Sequence, residues 1–258
     1  VSLLLKSELR LRMGPQRCEA GIWRAGLKAR RVGSAQADGQ DEHPVEQVLN
    51  ALLSQGHDLP SIASVLVEDE LLYYATSPAV GRWGRSDEWA RAYFAEAVTD
   101  TPLLIETSLA PGGRTWIAAA LDAGWVERLR DALGAHDIEL RHVHCALFGD
   151  LDRVRSEFGS ADGMVVLLRS EGVTLVGIQD GCIADISWER CDMAQSAALA
   201  SRVKGYRMRF AHHIGQPQSS ADLAVFLVPA DEGQLAWLSP LAQANGWQTA
   251  PPVPGARA

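Results

Sequence analysis

The feature that most constrains this chain is a plan used twice. "LRLRMGPQRCEAGIW" (residues 9–23) and "VVLLRSEGVTLVGIQ" (residues 165–179) each read as an apolar-rich strand, a tight turn of small or charged residues, and a second strand. Each hairpin is followed by a third strand and a helix. Two consecutive units of this kind argue for an internal duplication, one lobe near 1–158 and another near 159–248.

The surrounding pattern fills in both units. Runs at 9–13, 18–24 and 28–34, separated by Gly-Pro and Ala-Gly turns, describe a three-stranded antiparallel meander. The polar segment 34–44 breaks the pattern. Pro44 then suits the first turn of a helix in which Val45, Val48, Leu49, Leu52 and Leu53 share one face, stopping near Gly56. Residues 62–77 read as a buried strand, a turn at Glu68-Asp69 and a second extended piece. "SDEWARAYFAEAV" (86–98) has a Ser86 cap, early acids and a stripe of Trp89, Tyr93, Phe94 and Ala97, which predicts a helix. Strands at 102–109 and 114–121 flank a hairpin turn, a helix over 124–137 ends at Gly134, and 138–147 returns to strand. The second meander occupies 165–169, 173–178 and 182–188, with an alanine-rich helix around 193–203. "YRMRFAHHI" (206–214) and "LAVFLVP" (223–229) read as strands and 231–246 as a helix. Residues 249–258 are expected to be a disordered Pro-rich tail. The fold class that follows is mixed α/β in two lobes.

Composition excludes several functions. At 258 residues and 47% apolar the chain can bury a full core. A net charge of −8 makes nucleic acid a poor partner, because neutralising phosphates requires a concentrated Lys/Arg face; "KARRVG" (28–33) reads better as a charged strand edge. The longest dense apolar run, "MVVLL" (164–168), falls far short of the roughly 18–20 residues of a membrane span. The opening "VSLLLKSELRLR" has too short an apolar block for a secretory signal. Cys18, Cys145, Cys182 and Cys191 have neither C-x-x-C nor zinc spacing, and read as reduced thiols of a cytoplasmic protein. Cys182 and Cys191 could pair only if the chain folded back between them.

Catalytic motifs are absent: no G-x-S-x-G, no G-x-x-x-x-G-K-[ST], no G-x-G-x-x-G after a strand, no H-E-x-x-H. In "RHVHC" (141–145) a strand would put His142 and His144 on one face at a metal-compatible spacing; the plainer reading is a strand end with two partly exposed imidazoles, so no metal is expected. The rings of His212 and His213 would point to opposite faces. Trp89, Tyr93 and Phe94 follow helix periodicity and read as core, whereas Trp83 lies between glycines and fits a partner groove.

The stretch "ASVLVEDELLYYATSPAVGRWGRSDEWARAYFAEAV" (63–98), with its strand, Trp and aromatic-bearing helix, then a two-stranded excursion and the return helix "AALDAGWVERLRDAL" (119–133), resembles the actin-like (ribonuclease H-like) proteins. More narrowly it resembles the PilM-like and GspL-like members at the cytoplasmic face of type IV pilus and type II secretion machines. The resemblance implies a first lobe interrupted by a small inserted subdomain at about 77–122, and a shortened second lobe. It also implies two phosphate-binding hairpin turns, one per lobe, each pairing an aspartate for Mg²⁺ with glycines that admit the phosphate.

Here the first turn is "MGPQRC" (13–18), without an acid and with Pro15 removing an N–H donor; in the second, "RSEGV" (169–173), Glu171-Gly172 is a faint echo. Gly14, Ser170, Glu171 and Gly172 are therefore expected to mark degenerate phosphate turns, with no ATP, no Mg²⁺ and no catalysis. The function implied is an inert scaffold. A short cytoplasmic peptide of a PilN-like single-span inner-membrane protein would dock between the first lobe and the inserted subdomain, near Trp83, Trp89 and Tyr73. The protein would then be cytoplasmic and recruited to the inner membrane by its partner, without inserting into it. The alternative is an active actin-like ATPase or sugar-kinase-like phosphotransferase in which Glu171, Asp180 or Asp185 serves the metal.

Overall fold

The structure, a computed structural model, describes residues 7–24, 29–78, 86–110, 112–159, 162–193, 195–216, 220 and 222–252; Lys28 and Trp83 lie outside them. The chain begins with β1 (Ser7–Met13), β2 (Arg17–Arg24), β3 (Arg30–Asp38), α1 (Pro44–Ser54) and β4 (Ile62–Val67). A 3₁₀ turn at Asp69–Leu71 leads to β5 (Tyr73–Pro78), α2 (Ser86–Ala97), β6 (Leu103–Leu109) and β7 (Thr115–Asp122). Then come α3 (Ala123–Gly134), β8 (Glu139–Cys145) and α4 (Ala146–Phe158). The last third holds β9 (Gly163–Leu168), β10 (Gly172–Gln179), β11 (Cys182–Arg190), α5 (Ser196–His213), β12 (Ala224–Val228), α6 (Glu232–Asn245) and β13 (Gln248–Thr249).

Two five-stranded sheets trace the same path: β3-β2-β1-β4-β8 and β11-β10-β9-β12-β13. In each, three strands form an antiparallel meander and the next two add in parallel beside the first. The duplication expected from the repeated hairpin is thus present at the level of topology. By contact the chain divides into two compact units, one built from Val1–Leu72 and Leu121–Leu147, the other from Tyr73–Ala120 and Phe148–Gly255.

In the first unit β1 alternates. Leu9 and Leu11 are buried with Val65 and Val67 of β4 and with Val48, Leu49 and Leu52 of α1 and Leu129 and Leu133 of α3. The opposite face carries Arg10, Ser64 and His142 in register across β1, β4 and β8. Leu53, expected on the buried face of α1, is 44% exposed, because that face is only wide enough for the four residues before it.

In the second unit β9 is buried along its whole length and β10 nearly so. Met164, Val166 and Leu175 pack with Tyr206 and Phe210 of α5 and Leu238 of α6, while Phe158 of α4 meets Phe226 of β12 at 6.1 Å. Strands between two helical layers need apolar residues at every position, and "MVVLL" supplies them. Two expectations fail here. Residues 206–214 are not a strand but the second half of α5: Tyr206, Met208 and Phe210 alternate as strand residues do, yet Met208 is 61% exposed, and the buried set Leu199, Val203, Tyr206 and Phe210 has helical spacing. Nor is the C-terminal stretch coreless from its start. Gln248 and Thr249 pair in parallel with β12, the Ala250 N–H donates to Leu227 O at 2.8 Å, and Ala250 is buried.

The insertion after β4 forms a sheet of order β5-β7-β6, covered by α2 through Ala90 and Phe94, which pack on Ala75, Ala118 and Ala120. Tyr93, placed on the buried stripe by the sequence, is instead 47% exposed, and Ala97 is also exposed: Phe94, with Trp89 partly buried beside it, covers the sheet's small alanines. The insertion packs on the second-lobe strand β11. Thr76 Oγ1 donates to Asp185 Oδ1 at 2.9 Å, Arg114 pairs with Asp180, and Gly112, at φ +96°, backs onto Cys182 so closely that a Cβ would collide with its sulfur.

Candidate functional site

The two hairpin turns are where an actin-like protein would grip phosphate, and each is built around an arginine. In the first, β1 ends at Met13 and the parallel pairing with β4 runs on until the Glu68 N–H donates to Met13 O at 2.8 Å. This places the Glu68 side chain beside the turn. Arg12 Nε donates to Glu68 Oε1 at 2.8 Å, with the two side chains only 7% and 9% exposed, and Arg17 approaches the same oxygen at 3.7 Å. Gly14 has no Cβ because one would run into the Glu68 carboxylate, and Gly39 leans on the other side against the backbone of Gly14 to Arg17. The N–H groups of Gly14 and Arg17 are spent on each other's carbonyls, and Pro15 has none to offer.

In the second turn the Arg169 N–H donates to Gly172 O at 2.9 Å, and the Cys191 N–H donates to Glu171 O at 3.1 Å. The Arg169 side chain, 5% exposed, turns inward to Asp150 of α4, itself 2% exposed, with Nη1 to Oδ2 at 2.7 Å. Arg153 reaches the other Asp150 oxygen at 3.3 Å. Glu171 is held by Arg190 at 2.7 Å, and a Cβ on Gly172 would strike the β11 backbone.

A magnesium nucleotide asks these turns for unspent N–H donors, space in front of the glycines and a carboxylate turned toward the metal. The residues present do not fit it. In the first turn a carboxylate fills the space and two arginines neutralise it; in the second, the inward-facing position belongs to an arginine. Of the other acids considered for a metal, Asp180 has its carboxylate paired with Arg114 while its backbone N–H donates to Asp162 Oδ1, and Asp185 accepts from Thr76. Burial, then the charge of Asp185, pushes the Tyr206 hydroxyl well above its ordinary pKa, so it remains a phenol in the second core.

The remaining predicted residues are spread out. His142 and His144 do share a face, their rings stacked at 5.6 Å, both exposed on the edge strand β8. Nearby, Glu8 sits below its ordinary pKa: burial pushes it up, but hydrogen bonds from Ser64 and Arg10 and the charges of Arg10 and His142 outweigh that. Among the described residues no group of three or more His, Cys, Asp or Glu side chains could hold a metal ion. Trp89 is half-buried against the insertion's core and touches Tyr93 at 6.2 Å, while Tyr73, 46% exposed, opens β5. None of the four cysteines is in a disulfide. Sequence reasoning missed Arg12, Glu68, Asp150 and Arg169; an arginine flanking each turn was the available signal.

No protein-family model matches the sequence, and no curated protein matches it. Solved structures do. The fold is actin-like: a Bacteroides thetaiotaomicron protein with an actin-like ATPase fold and unknown function superimposes with a TM-score of 0.62 at 10% identity, over 95% of this chain and 91% of that one. The type IV pilus biogenesis complex PilM-PilN matches equally well, with a TM-score of 0.62 at 14% identity, over 95% of this chain and 87% of that one. At these identities the likeness establishes the mixed α/β actin-like fold. Among the described residues no helix is long and apolar enough to cross a membrane.

Proposed function

We propose that this chain is a catalytically inert actin-like scaffold. It would serve at the cytoplasmic face of a pilus or type II secretion inner-membrane assembly, holding a short cytoplasmic peptide of a single-span membrane partner. The observation that carries the inert half of this reading is the pair of buried arginine–carboxylate bridges, Arg12–Glu68 and Arg169–Asp150. Each starts at an arginine beside a turn that a nucleotide-binding relative would keep for phosphate and metal. A guanidinium already matched by a buried carboxylate has no net charge to give a triphosphate, and freeing it would cost several kcal/mol. The scaffold half is supported by the likeness to a chain of the PilM-PilN complex.

Calorimetry with ATP and Mg²⁺ is the direct test. The expected result is no saturable heat at millimolar-range nucleotide; low-micromolar affinity, or ATP hydrolysis abolished by Glu171→Gln, would replace this reading with the phosphotransferase one. For the scaffold half, co-expression with a single-span assembly protein encoded beside it should give a complex that survives purification. Failure to recover any such complex would remove the pilus and secretion assignment while leaving the inert fold in place.

A further inference from the structure

The first unit has a groove of about 660 Å³ between the N-terminal end of α1 and the outer side of α3. Its floor is apolar, with Met13, Val45 and Leu129 at the bottom and the half-buried indole of Trp125 forming one wall. Its rim is acidic: Asp41, Glu42 and Glu46 on the α1 side face Asp131 on the α3 side, and all four are exposed. The groove's own cation, Arg128, leans toward Asp122 at 3.8 Å.

Several carboxylates elsewhere in the chain are matched. Glu8, Glu19, Glu68, Glu139, Asp150, Glu171, Asp180 and Glu189 each lie within ion-pair distance of an arginine. The four rim carboxylates have no such pair among the described residues. An apolar slot ringed by uncompensated negative charge is complementary to one kind of ligand, a chain that brings apolar side chains for the floor and cations for the rim. The aliphatic stems of arginine and lysine suit both, packing on Trp125 while their heads reach the carboxylates.

We propose that this groove docks a short basic peptide segment with interspersed aliphatic residues, supplied by a partner protein. That the segment is the cytoplasmic end of a membrane-anchored partner rests on the scaffold reading above; the chemistry of the groove does not. Docking here uses only first-unit residues and is independent of Trp89 and Tyr73 on the insertion.

The probe is a fluorescein-labelled peptide of alternating arginine and leucine, about a dozen residues long so that at about 3.3 Å per residue it outspans the groove. Its binding to the full chain is followed by anisotropy. The expected result is saturable binding that weakens with salt and falls roughly tenfold in the double variant Glu46→Lys/Asp131→Lys. Both sites are exposed, so the variant should fold. The control variant Glu96→Lys/Asp100→Lys changes net charge equally on the insertion and should bind as the parent does. An equal loss in that control, or equal binding of an arginine–serine peptide, means non-specific attraction to an acidic protein and overturns the proposal. Unchanged binding in the groove variant overturns it too. The two readings separate cleanly: if parent and groove variant retain a co-expressed single-span partner alike, the scaffold stands and the groove falls. If the peptide binds the groove but no such partner is retained, the groove stands and the scaffold assignment falls.

Discussion

The two sheets share a strand order and differ in how they are covered. In the first unit helices lie on one face of β1 and β4, and the other face presents Arg10, Ser64, His142 and His144; in the second, α5 and α6 cover one face of β9 and α4 meets the other. The two arginines follow the same division. Arg12 finds its carboxylate on the neighbouring strand's end, at Glu68, whereas Arg169 finds Asp150 on the helix that roofs its sheet. The comparison teaches that a duplicated topology fixes strand order but not the layer count, and that an arginine beside a turn can find its carboxylate in whichever layer is at hand.

The sharpest attack on this contrast is to put a cation on each sheet. Val165→Lys, at a fully buried second-unit position, should abolish soluble folding or cost several kcal/mol, whereas His144→Lys on exposed β8 should stay within about 0.5 kcal/mol; similar losses of thermal stability would erase the distinction. Next in size, Asp150→Ala strands a buried guanidinium and should lower stability to urea by about 3–5 kcal/mol, and Asp150→Leu with Arg169→Met should recover most of it. Glu68→Ala should cost somewhat less, since Arg12 and Glu68 are 7% and 9% exposed against 5% and 2% for Arg169 and Asp150; equal costs would mean that the two bridges are equivalent.

A smaller effect is expected from Gly177→Ala, which pushes a methyl group into the Phe210 ring where β10 meets α5: about 1–3 kcal/mol, read from the unfolding midpoint. The smallest concerns thiols. Burial pushes Cys18 up to about 12, so its folded-state pKa exceeds the ordinary value of 9.0. Its contribution to stability is complete below pH 9 and is lost as pH rises toward about 12, because the unfolded thiol ionises first. Cys18→Ala should flatten that alkaline slope. Half-exposed Cys182 should be alkylated before Cys18 at neutral pH; the reverse order would contradict the burial of the first core.

Much of the fold was legible because its signals are local. Pro44 opens α1, the apolar spacing of 45–52 gives its buried face, and the strand pairs of both meanders follow from alternation and turn residues. Helix α4 could have been read from Leu147, Leu151, Val154 and Phe158, which recur at helical intervals. The candidate site was half legible. The missing acid and the presence of Pro15 were plain in the first turn, but nothing near Arg12 in sequence announces Glu68, 56 residues away. The insertion's attachment to β11 was equally hidden, since Thr76 and Asp185 lie 109 positions apart.

By itself the amino-acid sequence determined the repeated hairpins, the α/β class and the number of faces each sheet buries. "LRLRM" alternates and can hide one side, "MVVLL" does not and must hide both, and this periodicity is a property of neighbouring residues. Only the tertiary structure decided which carboxylate meets each arginine, where the insertion rests, and which acids are left unmatched around the groove beside Trp125. Those outcomes depend on distances between segments far apart in the chain, and packing is what sets them.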